Sequence, residues 1–79
     1  MDNYQFTIGV YGAKYSVKRH PKLKRFFEVF NPDTFYLICY NYSGKWDVVE
    51  ARDQSKKINI SEVGDAIVAY LNENGIPID

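Results

Sequence analysis

The sequence predicts an α+β domain: an antiparallel β-meander of about five strands, with one C-terminal amphipathic helix packed on one face. Three observations carry that prediction. Residues 4–52 hold successive short apolar runs separated by turn signals at Gly12, Asn31-Pro32-Asp33 and Ser43-Gly44. Val63, Ala66, Ile67, Tyr70 and Leu71 then form an i, i+3, i+4, i+7, i+8 stripe, the mark of an amphipathic helix. The 79 residues make one domain, 1–79, with no repeat, linker or low-complexity segment.

The first strand is read at Tyr4–Val10. Tyr4, Phe6, Ile8 and Val10 alternate with Gln5, Thr7 and Gly9, a period of two that fits a half-buried strand. Tyr11-Gly12-Ala13 reverses the chain. Lys14–Arg19 follows as a weaker strand at a sheet edge, with Tyr15 and Val17 on one face and Lys14, Ser16 and Lys18 on the other. His20-Pro21 ends it, because proline lacks an N–H and restricts the residue before it.

Lys22–Phe30 has two readings. Leu23, Phe26, Phe27 and Phe30 fall at helical spacing, so a short helix over Pro21–Phe30 is one. The other is a strand ending at Phe30. Asn31-Pro32-Asp33-Thr34 has the chemistry of a type I turn and lies between two aromatic runs, which is a hairpin signal and favours the strand.

Phe35–Tyr42 is apolar on both faces, Asn41 excepted, and so belongs in the middle of a sheet. Ser43-Gly44 turns into a strand over Lys45–Arg52, where the break in alternation at Val48-Val49 suggests a bulge. Ile58-Asn59-Ile60 is a candidate short edge strand and Ser61 a candidate N-cap. The helix then runs from about Glu62 to Asn74, with Gly64 allowing close packing and Gly75 as its C-terminal cap.

A chain this short buries only about 60% of its unfolded surface. Five Phe, seven Tyr and one Trp compensate, each contributing roughly 1.5–3 kcal/mol when fully buried. The single cysteine, Cys39, excludes an internal disulfide framework and a cysteine metal cluster, and fits a reducing compartment. Residues 1–10 lack a secretory signal and no apolar run approaches a membrane span of roughly 18 residues. The expectation is a small soluble protein of the cytoplasm.

One helix covers only one sheet face, yet the central strand is apolar on both. Phe35, Leu37 and Cys39 lack hydroxyl groups, so the helix is expected on their side. The face with Tyr36, Ile38, Tyr40 and Tyr42 is then left for a partner, unless the Lys14–Phe30 segment folds over it.

No catalytic, cofactor or metal signature is present. His20 has no nucleophile or orienting carboxylate near it in sequence and reads as an exposed loop residue; Cys39 reads as a small buried hydrophobe. The polar feature above background is Lys18–Arg25, in which six of eight residues are Lys, Arg or His. Residues 1–30 carry six cations against two anions, and residues 31–79 four against eight, although the halves can interleave in the fold.

Two functions follow as expectations. The first is a non-enzymatic binding or regulatory module that engages a protein partner or a second copy of itself. Tyr36, Tyr40, Tyr42 and Trp46 would be its anchors, and Lys18, Arg19, Lys22, Lys24 and Arg25 would steer an acidic surface. The alternative is a nucleic-acid-binding module that uses the same cations on phosphates and the aromatics for stacking. Lys24–Phe30 lacks the glycine of the aromatic RNA-recognition sheet motif and carries Glu28. Gly44-Lys45-Trp46 with Glu50, Arg52 and Asp53 faintly resembles the middle strand of the plant AP2-type DNA-binding domain over about ten residues, although the chain lacks room for a full third strand before the helix.

Overall fold

A computed structural model of the chain describes residues 5–52 and 59–78. Five strands, β1 (Gln5–Val10), β2 (Ala13–Arg19), β3 (Phe26–Asn31), β4 (Thr34–Tyr40) and β5 (Trp46–Arg52), precede one helix, α1 (Ile60–Glu73). Every neighbouring pair is antiparallel and the sheet order is β1-β2-β3-β4-β5, so β2, expected at an edge, is paired on both sides because Gln5–Val10 takes the edge beyond it. This is the predicted α+β meander. Among the described residues no helix is long and apolar enough to cross a membrane.

The turns follow local chemistry. Val10 pairs with Ala13 across Tyr11 (φ 50°) and Gly12 (φ 78°), and positive φ at both central residues gives the turn the twist a hairpin needs. At the next hairpin the Asn31 side-chain carbonyl accepts from the Asp33 and Thr34 N–H groups at 2.9 and 3.0 Å, the behaviour that makes Asn a turn residue. This turn resolves the ambiguity at Pro21–Phe30: Phe26–Asn31 is a strand, because Thr34–Tyr40 offers it a full ladder. In the β4–β5 turn Asn41 Oδ1 accepts from the Ser43 and Lys45 N–H groups, and Asn41 Nδ2 donates to Asp47. The suggested bulge is present: Leu37 pairs with Glu50 and Ile38 with Val48, leaving Val49 as the extra residue.

Rows across the sheet decide which face is covered. One face carries Phe6–Val17–Val29–Tyr36–Ala51 in register, apolar in all five strands. On the other face the rows are Gln5–Lys18–Glu28–Leu37–Glu50 and Thr7–Ser16–Phe30–Phe35–Arg52. Their outer strands are polar or charged. The helix therefore packs on the first face, where Val63, Ile67 and Leu71 join Phe6, Ile8, Tyr15, Val17, Phe27, Val29, Tyr36 and Ile38 in the core. The expected placement is reversed: Tyr36 is buried beneath the helix layer, and Phe35, Leu37 and Cys39 lie half-buried on the uncovered side. The hydroxyls of one strand matter less than five strands of apolar area.

The helix begins two residues earlier than predicted. Asn59, not Ser61, is its N-cap, its side-chain oxygen accepting from the Glu62 N–H at 3.3 Å. Ile60 is helical rather than part of an edge strand, and Ile58 lies outside the described residues. At the far end the Ile76 N–H bonds to the Leu71 carbonyl and the Gly75 N–H to that of Asn72, a Schellman closure around the predicted glycine. Gly64 sits against the Trp46 indole so closely that a Cβ there would overlap the ring. Phe6 stacks on Tyr70, with ring centroids 4.0 Å apart. The helix thus seats on both edges of the sheet, β1 and β5.

Candidate functional site

The nine side chains singled out in the sequence separate into three groups. Tyr36 and Trp46 are committed to the interior. Tyr36 is 6% exposed, and Trp46 packs half-buried against Gly64, Phe27 and Tyr40. Arg19 joins them. At 3% exposure it donates from Nε to the Lys24 carbonyl (2.7 Å) and from Nη2 to the Ile78 carbonyl, and its guanidinium lies 5.4 Å from the Phe27 ring centre. A buried guanidinium requires such acceptors, so Arg19 anchors the chain's own backbone and does not steer a partner.

Lys18 stands alone on the uncovered face, exposed and in register with Glu28. The remaining five, Lys22, Lys24, Arg25, Tyr40 and Tyr42, converge on one groove of about 400 Å³. Leu23, Phe26, Cys39 and Asn41 complete its lining. It lies where the β2–β3 connection meets the end of β4.

Local folding explains the convergence. His20 turns the connection: its Nδ1 accepts from the Lys22 and Leu23 N–H groups at 3.1 and 2.8 Å, so the histidine serves as a backbone cap. The Phe26 N–H closes onto the Leu23 carbonyl. This turn lifts Leu23 to 52% exposure between two exposed lysines. Opposite, the Tyr40 N–H bonds to the Arg25 carbonyl, and Arg25 Nη1 returns bonds to the carbonyls of Tyr40 (3.0 Å) and Asn41 (3.3 Å). The same guanidinium lies 4.2 Å from the ring centre of Tyr42, a side chain 89% exposed. A cation over an aromatic face is attracted by about 0.5–1 kcal/mol at an exposed site.

Among the described residues the groove lining contains three cations and no carboxylate. The chain as a whole balances ten against ten, so this is a local concentration of positive charge beside apolar area. Phe26 and Cys39 belong also to the uncovered sheet face, which makes groove and face continuous. On that face Phe30 and Phe35 stack with centroids 6.5 Å apart, and the Arg52 guanidinium lies 4.6 Å from the Phe35 ring centre. Cys39, expected as a buried hydrophobe, is a half-buried free thiol at the junction.

Leu23 and Asn41 were not singled out as site residues. Leu23 had been assigned to an apolar helical or strand pattern, and the turn capped by His20 exposes it instead. No family model, curated protein or solved structure matches the chain, so the assignment rests on this geometry.

Proposed function

We propose that the chain is a non-enzymatic binding module that takes an acidic protein segment into the groove formed by the 20–26 connection and the end of β4. The observation behind this reading is the lining: Lys22, Lys24 and Arg25 around Leu23, Phe26 and Tyr42, with no carboxylate among the described residues. Exposed Leu23 and Tyr42 give an entering side chain apolar area to cover, and the cations favour an acidic segment over neutral or basic ones. The lone cysteine fits action in a reducing compartment such as the cytoplasm.

The nucleic-acid reading would use the same cations with Tyr42 as a stacking ring. Glu28, Asp47 and Glu50 on the adjoining face confine an anionic ligand to the groove, which suits a short acidic segment more than a phosphate backbone that carries its charge on past the groove. The test is calorimetric titration with a glutamate-rich peptide carrying one aromatic residue, beside a single-stranded oligonucleotide of equal charge. The peptide is expected to bind and to weaken with salt. Lys22→Glu with Lys24→Glu should cost about tenfold or more in affinity, since like-charge juxtaposition is penalised by several kcal/mol. Peptide binding unchanged by that double reversal overturns the proposal. So does an oligonucleotide that binds more tightly than the peptide.

A further inference from the structure

One wall of the groove hangs on a single titratable side chain. The exposed ring of His20 presents Nδ1 to two backbone donors at once, the N–H groups of Lys22 (3.1 Å) and Leu23 (2.8 Å). A ring nitrogen that accepts carries no proton, so this imidazole is neutral and its proton sits on Nε2. The rest of the connection is fastened by other groups. The His20 N–H reaches the Phe26 carbonyl, and the Phe26 N–H the Leu23 carbonyl. Arg19 holds the Lys24 carbonyl, and the Tyr40 N–H holds that of Arg25. Between these ends stand Pro21, which has no N–H, and the two residues that the ring caps. Both backbone donors on this side of the turn therefore end on one imidazole nitrogen. Lys22, Leu23 and Lys24, the residues so placed, are groove lining.

We propose that His20 is a proton-operated latch on the groove: the neutral ring holds the wall in place, and the imidazolium releases it. An imidazolium carries N–H at both nitrogens. A proton on Nδ1 sets donor against donor and displaces both bonds. The ring is exposed, so the proton comes straight from solvent. The charged groups of the same segment are Arg19, Lys22, Lys24 and Arg25. From β4 the groove adds Cys39, Tyr40 and Tyr42, and the C-terminal segment adds the Ile78 carbonyl on Arg19. Along β3 the first acid is Glu28, two residues beyond Phe26 and in register with Lys18. The new charge would by itself attract an acidic segment. His20 is exposed and outside the groove lining, however, where solvent and salt screen it. Release of the turn displaces three residues that do line the groove, so loss of shape outweighs the added charge. The effect on binding rests on the reading of the groove as a site for an acidic segment; the latch itself does not.

Two measurements keep latch and ligand apart. Heteronuclear NMR of the free protein follows the His20 ring and the Lys22 and Leu23 amides from about pH 8 to about pH 5, the range over which histidine charge ordinarily changes. At the upper end the ring proton is expected on Nε2. As the ring takes its second proton, both amide signals should move with the same midpoint, toward their positions in His20→Ala. Calorimetry with the glutamate-rich peptide then reads the groove in wild type and His20→Ala, a comparison that cancels protonation of the peptide. The wild type is expected to bind at least about threefold more tightly than His20→Ala at the upper pH, as hydrogen bonds of modest net strength allow. That advantage should vanish at the lower pH. A ring proton found on Nδ1, or amides that ignore the ring's titration, overturns the proposal whether or not the peptide binds. So does a wild-type advantage that persists or grows on acidification. A peptide that fails to bind while the amides follow the ring supports the latch and counts against the groove reading alone.

Discussion

Gly64 illustrates how one residue's effect is set by its neighbour rather than by its propensity. In an exposed helix Gly→Ala gains about 1 kcal/mol. Here the added methyl would enter the Trp46 ring, and overpacking costs about 1–3 kcal/mol. Gly64→Ala is therefore expected to lower stability in urea denaturation. In a Trp46→Ala background the sign should reverse, because the space is then open. Tyr11 offers a second residue-level test. Its hydroxyl donates to Glu62 Oε1, and that bond, together with the carboxylate's charge, raises the phenol above its ordinary value of 10.0. A raised folded value means the link is fully present below the ordinary phenol pKa and is lost as pH rises through the folded one. The phenol-absorbance titration of the wild type minus Tyr11→Phe should show a midpoint above 10, and Glu62→Gln should move it back down.

At the scale of the element, the strands and hairpins were legible because their determinants are local. Alternation in Gln5–Val10, the Asn31-Pro32-Asp33 turn and the Val48-Val49 irregularity each act within a few residues. The helix body was legible for the same reason. Its start was misread because Asn59 was assigned to an edge strand, although Asn followed three residues later by Glu62 is itself a helix-start signal. The two candidate caps make opposite forecasts. Asn59→Ala should cost about 1 kcal/mol, whereas Ser61→Ala, inside the first turn, should change stability by less than about 0.5 kcal/mol. Chemical denaturation of both variants decides between them.

For the whole molecule, what escaped the sequence reading was the sum over strands. The tyrosine-bearing side of β4 was compared with its phenylalanine-bearing side in isolation. The comparison that decides burial runs across each row, from Phe6 to Ala51 on one face and from Gln5 to Glu50 on the other. Those rows exist only once the registers are set. Arg19 escaped for a related reason: its acceptor at Ile78 is 59 residues away, and no local pattern announces it. Five of the nine site residues stay together despite the change of face. Lys22, Lys24, Arg25, Tyr40 and Tyr42 converge because the turn at His20 and the end of β4 are neighbours in either arrangement. The same layout forecasts where the fold opens last. β2, β3 and β4 are paired on both sides and carry the fully buried Val17, Phe27, Val29 and Ile38, so native-state hydrogen exchange should find its slowest amides there. The edge strands β1 and β5 should exchange faster.

Trp46 closes the seam between sheet and helix, lodged against Gly64 with Phe27 and Tyr40 at its sides. It is also the chain's single tryptophan. The molecule therefore carries an intrinsic optical gauge at the contact where its two layers meet. Lifting the helix wets the indole, so a red shift in emission reports undocking without a label. Events on the far face leave that colour unchanged. Emission during a titration thus separates a ligand that grips the outer surface from one that pries the layers apart.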